Sequence, residues 1–375
     1  MTTWLRNAWY VAGFADEFTT GRPLARTLLG EPLVFFRGEG GALAALADRC
    51  PHRFAPLSRG QVVDGALACP YHGLRFASDG RCVHNPHGNG RIPAGARVRS
   101  YPALERHGAI WFWPGDPARA DAALLPEWTF LDERTHVTRH GYLETAASYL
   151  LSADNLLDLS HFQFLHPQTL GSDAVAQAPA QVRYDGDRVL VQREIPQETL
   201  QPFVAEAFGL APGATVTRRL DVAWQPPAVL TIDVAIRPDG EPGAPWRGAP
   251  SAHWLTPRTE TTAHYFFAFG LPRGMGDAAE ALVRHAVDGL MQPFEHEDLP
   301  MLAAQQQAMG DADFWSLGPA LLPVDAGAVR ARRIVERLLR EERAAQGAAA
   351  EDRPVTLQGR ARALMAHAAA RGAAS

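Results

Sequence analysis

Cys50-Pro51-His52-Arg53 is followed, with sixteen residues between His52 and Cys69, by Cys69-Pro70-Tyr71-His72-Gly73, so that two cysteines and two histidines fall within one short stretch of chain. Each knuckle pairs one thiol with one imidazole. Thiolates hold iron in sulfide clusters, and neutral imidazoles in place of two of the four thiolates remove negative charge and raise the reduction potential to roughly −150 to +300 mV. A centre of that kind accepts electrons readily. Pro51 and Pro70 stiffen the two loops, and Gly73 lets the backbone turn close to the cluster, where amides directed at sulfur tune its potential. A Cys2His2 zinc site is the alternative, although zinc knuckles usually space their cysteines two to four apart. Cys82, the third and last cysteine, has no partner in sequence and reads as a buried free thiol.

A second set of ligands follows in Asp154-Asn155-Leu156-Leu157-Asp158-Leu159-Ser160-His161, with His166 five residues on. Non-haem iron that activates dioxygen is typically held by two histidines and a carboxylate, with positions left open for oxygen and substrate. His161 and His166 are the natural pair. On an ideal helix of 3.6 residues per turn they would stand about 140° apart, so the spacing predicts a π-bulge or a helix end between them. Asp154, Asp158 and His161, spaced four and three apart, share one face, and Asp158 is expected to accept the second ring N–H of His161. Five leucines (150, 151, 156, 157 and 159) crowd the segment, and ionisable groups on so apolar a helix argue for a buried site. Asn155 read alone suits a helix cap or a buried hydrogen bond. Phe294-Glu295-His296-Glu297-Asp298 reads as helix and offers several candidates for the third ligand.

Together the two motifs resemble those of the Rieske non-haem iron oxygenases. Asn7-Ala8-Trp9-Tyr10-Val11-Ala12, Gly108-Ala109-Ile110-Trp111-Phe112-Trp113-Pro114-Gly115 and the run from Glu297 to Gln307 extend the likeness to oxygenase components of the vanillate O-demethylase type, which include dicamba monooxygenase. It covers roughly residues 4–345. The resemblance implies a Rieske [2Fe-2S] cluster on Cys50, His52, Cys69 and His72, and Fe(II) on His161, His166 and Asp298, with Glu297 as the alternative carboxylate. It places Asn155 near that iron. It also implies a homotrimer in which His72 or His52 of one subunit meets Asp158 of the next, passing electrons across the interface. O2 would be the co-substrate and NADH the electron source, through a separate flavin/ferredoxin-type reductase; no GxGxxG segment is evident in this chain. The implied reaction is O-demethylation of a methoxylated aromatic acid such as vanillate, with release of formaldehyde. Hydroxylation or dihydroxylation of a phthalate, aryl sulfonate or hydroxybenzoate is the alternative. His253 resembles a substrate-contacting histidine of dicamba monooxygenase, against the reading of a satisfied core histidine, which is the better one for His264. Gly289 stands where that enzyme has a pocket tryptophan, which weakens the case for its substrate.

The net charge of −5 over 375 residues gives no reason to expect a nucleic-acid partner. No run of about 18 apolar residues and no basic-then-apolar start are present, so neither a membrane span nor a signal peptide is expected. Three cysteines, two of them committed to a cluster, suit a reducing cytoplasm. Length suggests two or three domains, and 46% hydrophobic residues suffice for sizeable cores. The expected fold class is α+β, in three parts: residues 1–120 an all-β Rieske domain, 121–345 a helix-grip-like catalytic domain with an antiparallel sheet, and 346–375 an Ala-rich tail without assigned function. Strands are expected at 33–36, 43–47, 66–68, 109–113, 189–192, 229–234 and 262–269, and helices near 145–162, 278–309 and 326–345. Residues 116–126 read as a linker, and 196–216 as a mobile cover or a plain surface loop.

Overall fold

The computed structural model describes residues 4–211, 213–239 and 243–351. Residues as far as Val335 make one compact unit and the chain from Glu336 a second. The expected tail falls almost wholly outside the described residues.

The N-terminal half consists of three small antiparallel sheets. Tyr10–Phe14, Ala109–Phe112 and Ala103–Arg106 form one; Leu24–Leu28, Glu31–Arg37, Leu43–Ala47 and Ser100–Tyr101 form the second. The third, Gln61–Val63, Ala66–Ala68, Arg75–Phe76 and Cys82–His84, stands between and beside the two knuckles. The strands expected at 33–36, 43–47, 66–68 and 109–113 are all present to within a residue or two. Cys82 is a buried free thiol, as read from sequence.

The C-terminal half is built on a seven-stranded antiparallel sheet in the order His136–Thr145, Thr262–Pro272, Arg247–Thr259, Val229–Pro238, Thr215–Gln225, Arg188–Thr199, Ala180–Asp185. Its two faces do different work, because successive side chains of a strand point to opposite sides. Ala252, Trp254, Phe266 and Ala268 turn toward the N-terminal half and join Trp9, Trp111 and Trp113 in one buried cluster. Trp111 and Trp254 meet edge to face at 5.9 Å, a contact worth about 1 kcal/mol beyond the area it buries. Ser251, His253 and Phe269 turn the other way and line a cavity beneath the helix Asp277–Pro293. Residues 116–126 are not a loose linker. Asp116 and Asp121 cap two short turns, Leu125 is buried in the shared cluster, and Trp9 Nε1 donates to Asp121 O at 2.8 Å.

Two helices position the second ligand set. The first, Tyr149–Leu157, is shorter than the 145–162 read from sequence and stops at Asp158, whose backbone is extended (φ −116°, ψ 94°). A 3-10 turn, Leu159–His161, and a one-turn helix, Phe162–Leu165, follow, with His166 as the latter's C-cap. The chain thus solves the five-residue spacing by ending the helix before both histidines. The π-turn is elsewhere: in the near-continuous helix 277–309, residues Phe294–Asp298 open into a π-turn, with Leu299 N–H donating to Phe294 O. Pro300 explains its place, because it has no N–H for the carbonyl four residues back and its ring would collide with that carbonyl.

Candidate metal centres and substrate cavity

The two knuckles are built alike. Phe54 N–H returns to Cys50 O at 3.0 Å, and Gly73 N–H returns to Cys69 O at 3.0 Å. The closing residue is left-handed in both, Phe54 at φ 60° and Gly73 at φ 71°, and only the second is a glycine; a Cβ at Gly73 would also meet Pro86 Cγ at 3.1 Å. Cys50 and Cys69 are buried and adjacent, while the His52 and His72 rings lie 4.5 Å apart toward the surface, beside exposed Phe54 and Tyr71. Burial, and then the neighbouring Cys69 thiol, push the Cys50 thiol up to about 11. A thiol so placed needs a strongly positive partner to ionise. Sulfurs paired with each other and imidazoles paired with each other suit a two-iron cluster with one kind of ligand on each iron.

Among the described residues, His161, His166 and Asp298 are a set whose ligand atoms all lie within 4.8 Å of one another. Asp298 Oδ1 is 3.2 Å from His166 Nε2 and 3.5 Å from His161 Nε2, and it accepts from Asn155 Nδ2 at 2.9 Å. Burial alone would raise the Asp298 carboxyl, but the hydrogen bonds and charge of the two imidazoles win and hold it at about 2. His166, wholly buried, is shifted up: burial opposes its charge, and Asp298 and Glu297 outweigh burial. A buried carboxylate that draws a proton onto its neighbouring imidazole is a site where a cation can replace that proton. Two imidazoles and a carboxylate are the donor set of a non-haem Fe(II) centre with open positions.

The surrounding contacts correct several sequence readings. His161 Nδ1 meets the main-chain O of Asp158 at 2.5 Å, not its carboxylate. That carboxylate instead accepts from Ser160 N and Ser160 Oγ, both at 2.9 Å, and faces Arg193 at 3.8 Å. Because the helix stops at Leu157, Asp158 leaves the common face that four-and-three spacing requires. Asp154 turns away too, into a two-pronged pair with Arg332 at 2.6 and 2.8 Å. Of the competitors to Asp298, Glu295 and His296 are exposed, and Glu297 bonds the far nitrogen of His166.

His161 and Asp298 open on a cavity of about 470 Å³ lined mainly by apolar side chains, including Leu156, Phe162, Ile232, Val234, Phe269 and Leu282, with His166 buried behind them. The short helix Pro202–Ala207 and Phe208, both from the segment 196–216, form part of its wall, with Val204 buried. Gly289 does not line this cavity; it borders a charged groove on the outer side of the helix Asp277–Pro293. His253 does line it, fully buried, and burial pushes its pKa down to about 3. Its proton can be placed by elimination. The carbonyl of Ile232 can only accept, so Ser251 Oγ donates there at 3.1 Å and must accept from His253 Nε2–H at 2.8 Å. Nδ1 then accepts from the Tyr265 hydroxyl at 2.8 Å. His253 is therefore a satisfied neutral histidine, the core reading, and it stands at the cavity wall. Arg218, missed in the sequence, also lines the cavity, paired with buried Glu198 at 2.6 Å and donating to Leu170 O at 3.0 Å.

A fold of this kind, with a small all-β half bearing a Cys–His quartet and a sheet-and-helix half bearing two histidines and a carboxylate, defines a two-centre iron oxygenase. Comparison with known proteins agrees. Residues 8–102 match the Rieske [2Fe-2S] domain and 145–341 match the vanillate O-demethylase oxygenase C-terminal domain. The oxygenase component of dicamba O-demethylase from Stenotrophomonas maltophilia is 37% identical over 90% of this chain and 98% of its own length. The oxygenase component of chloroacetanilide N-alkylformylase from Rhizorhabdus wittichii is 39% identical over 90% and 96%. The crystal structure of dicamba monooxygenase bound to 3,6-dichlorosalicylic acid superposes with a TM-score of 0.83 at 37% identity, covering 91% of this chain and 99% of that one. The chain belongs to the Rieske non-haem iron oxygenases, as an oxygenase component of the vanillate and dicamba demethylase group. It is an O2-dependent oxidoreductase with a Rieske [2Fe-2S] cluster and a non-haem iron site on His161, His166 and Asp298, and an oxygenase component implies a reductase partner.

Proposed function

We propose that this chain removes the methyl group of a methoxylated aromatic acid such as vanillate and releases formaldehyde. The observation that carries the reading is the apolar cavity of about 470 Å³ lined by His161 and Asp298 of the three-ligand set, a volume suited to one substituted ring. O-demethylase names in the family and among its relatives support the same chemistry. When bound, the iron supplies dioxygen activation with electrons drawn from the Rieske cluster, so that a methyl aryl ether, O2, two electrons and two protons become a phenol, formaldehyde and water. The apolar wall excludes bulk water and holds the ring. The acid group faces the mouth, where exposed Arg247 lines the cavity. His253, once its Nε2–H turns from Ser251, donates to an ether or carboxylate oxygen.

In this reading Cys50, His52, Cys69 and His72 hold the cluster within a domain spanning 1–120, and 121–345 is the catalytic domain. The surface-facing His52 and His72 favour transfer between subunits of a homotrimer, with Asp158 as the bridge: its carboxylate is part-exposed, and its carbonyl bonds His161. Asn155 steers Asp298 through its 2.9 Å hydrogen bond. The partner reductase is of the flavin/ferredoxin type, fed by NADH, and the assembly works in the cytoplasm. No helix among the described residues is long and apolar enough to cross a membrane.

The test is formaldehyde release from the purified protein with vanillate, NADH and a compatible reductase, with oxygen uptake followed in parallel. Formaldehyde stoichiometric with NADH and O2 supports the proposal. Oxygen uptake coupled to a ring-hydroxylated product, without formaldehyde, replaces it with the hydroxylation of a phthalate, aryl sulfonate or hydroxybenzoate.

A further inference from the structure

We infer that Glu297 is a positioning residue for the iron, holding His166 from the side opposite Asp298 and supplying the second negative charge of the site. Consecutive residues of one π-turn reach the two nitrogens of one imidazole: Glu297 Oε2 lies 2.5 Å from Nδ1, and Asp298 Oδ1 lies 3.2 Å from Nε2. In an ordinary helix, neighbours in sequence point well apart. Within this π-turn Glu297 and Asp298 nevertheless reach opposite nitrogens of the one ring, with His166 seated between the two carboxylates. Thr169 Oγ1 donates to the same Glu297 oxygen at 2.8 Å, so the carboxylate is pinned by the loop that follows His166. Gly171 holds that loop in place, with its N–H on His166 O at 2.9 Å and no room for a Cβ, which would lie 2.1 Å from Phe162 O.

The consequence is an unequal pair of histidines. Both must donate through Nδ1 and keep the Nε2 lone pair for the metal. His161 is backed only by the neutral main-chain O of Asp158 and is part-exposed; His166 is backed by a carboxylate and is fully buried. A charged acceptor behind an imidazole makes it a stronger donor and fixes its tautomer. Asp298 and Glu297 together also balance the two charges of Fe(II), whereas Asp298 alone would leave a net positive charge in a poorly solvated site. Glu297 thus makes His166 the ligand that retains the iron.

This inference rests on Fe(II) being held by His161, His166 and Asp298, and the test separates the two. Wild-type, Glu297→Gln and Asp298→Ala holoproteins are stripped of labile iron with a chelator and titrated anaerobically with Fe(II), with the visible absorbance of the cluster as the internal standard for folding. Glu297→Gln is expected to bind Fe(II) ~10- to 100-fold more weakly with cluster absorbance unchanged, and Glu297→Asp to recover part of the loss. Wild-type affinity in Glu297→Gln overturns the inference while leaving the site intact. Unchanged iron binding in Asp298→Ala would instead overturn the ligand assignment beneath it. If Glu297→Gln loses the cluster as well, Thr169→Val carries the test, since it keeps the carboxylate and removes only its hydroxyl donor: a several-fold loss of Fe(II) affinity is expected, and no loss overturns the inference.

Discussion

The two metal-binding regions gather their ligands by opposite means. Around Cys50 and Cys69, each knuckle is a four-residue return of the backbone, and both knuckles lie within one stretch of 23 residues, bounded by Cys50 and His72. The second site joins His161 and His166 to Asp298, more than 130 residues later, through a broken helix and a π-turn. The first places its histidines at the surface; the second buries His166 and Asp298, and sets Asp298 and His161 on an apolar cavity. One geometry suits exchanging electrons with an outside partner, and the other suits chemistry shielded from water.

Removing one ligand from each site is the strongest way to break this comparison. Asp298→Ala is expected to lose the mononuclear iron and turnover by at least ~100-fold while keeping the cluster spectrum, and Cys69→Ala to do the reverse. Metal analysis alongside visible absorbance reads both, and loss of both centres in either variant would show that the regions are not independent. Asp158→Asn sharpens the link between them. If Asp158 is the proposed bridge, both metals should stay bound while reoxidation of the reduced cluster slows by ~100-fold or more in stopped flow. Tyr265→Phe acts on the cavity through His253. Without the hydroxyl on Nδ1, the proton of His253 is no longer confined to Nε2, and KM should rise ~10-fold with kcat nearly unchanged. A fall in kcat at constant KM would point to a role at the iron instead.

The smallest effect tests how the two halves are joined. His264 bonds Tyr142 OH at 2.8 Å and, across the halves, Thr27 O at 3.0 Å; burial first, and then Arg26 and Arg258, push its pKa down to about 4. Unfolded, it titrates near 6.5. Between these values the unfolded chain binds a proton that the folded one refuses, so stability present above pH 6.5 is lost as pH falls toward 4. His264→Gln should flatten that loss by up to ~1.4 kcal/mol per pH unit, read by denaturant melts across the window. An unchanged slope would assign the loss to other groups.

The contrast also explains what the sequence could tell. The knuckles were legible because their ligands, prolines and Gly73 are local, and the strands were legible because alternation survives in single segments. The expected distortion between His161 and His166 was right in its logic, but it took the form of an early helix end, which moved the Asp158 carboxylate off His161. Nothing local forecasts that Leu157 is the last helical residue. The π-turn had a visible signal in Pro300, two residues after Asp298. The Tyr265–His253–Ser251 chain and the Arg218–Glu198 pair were not legible, since each depends on strand register between residues far apart.

The most direct test of two centres acting in series is a single turnover without reductase. Holoenzyme reduced in advance is mixed with O2 and vanillate while the cluster absorbance is followed and formaldehyde is counted. The wild type should reoxidise its cluster with substoichiometric or equal formaldehyde, and Asp298→Ala, with its cluster intact, should stay reduced at least ~10 times longer and form none. Equal reoxidation rates in the two proteins would contradict the account, because the cluster would then be passing its electrons to oxygen by some route other than His161, His166 and Asp298.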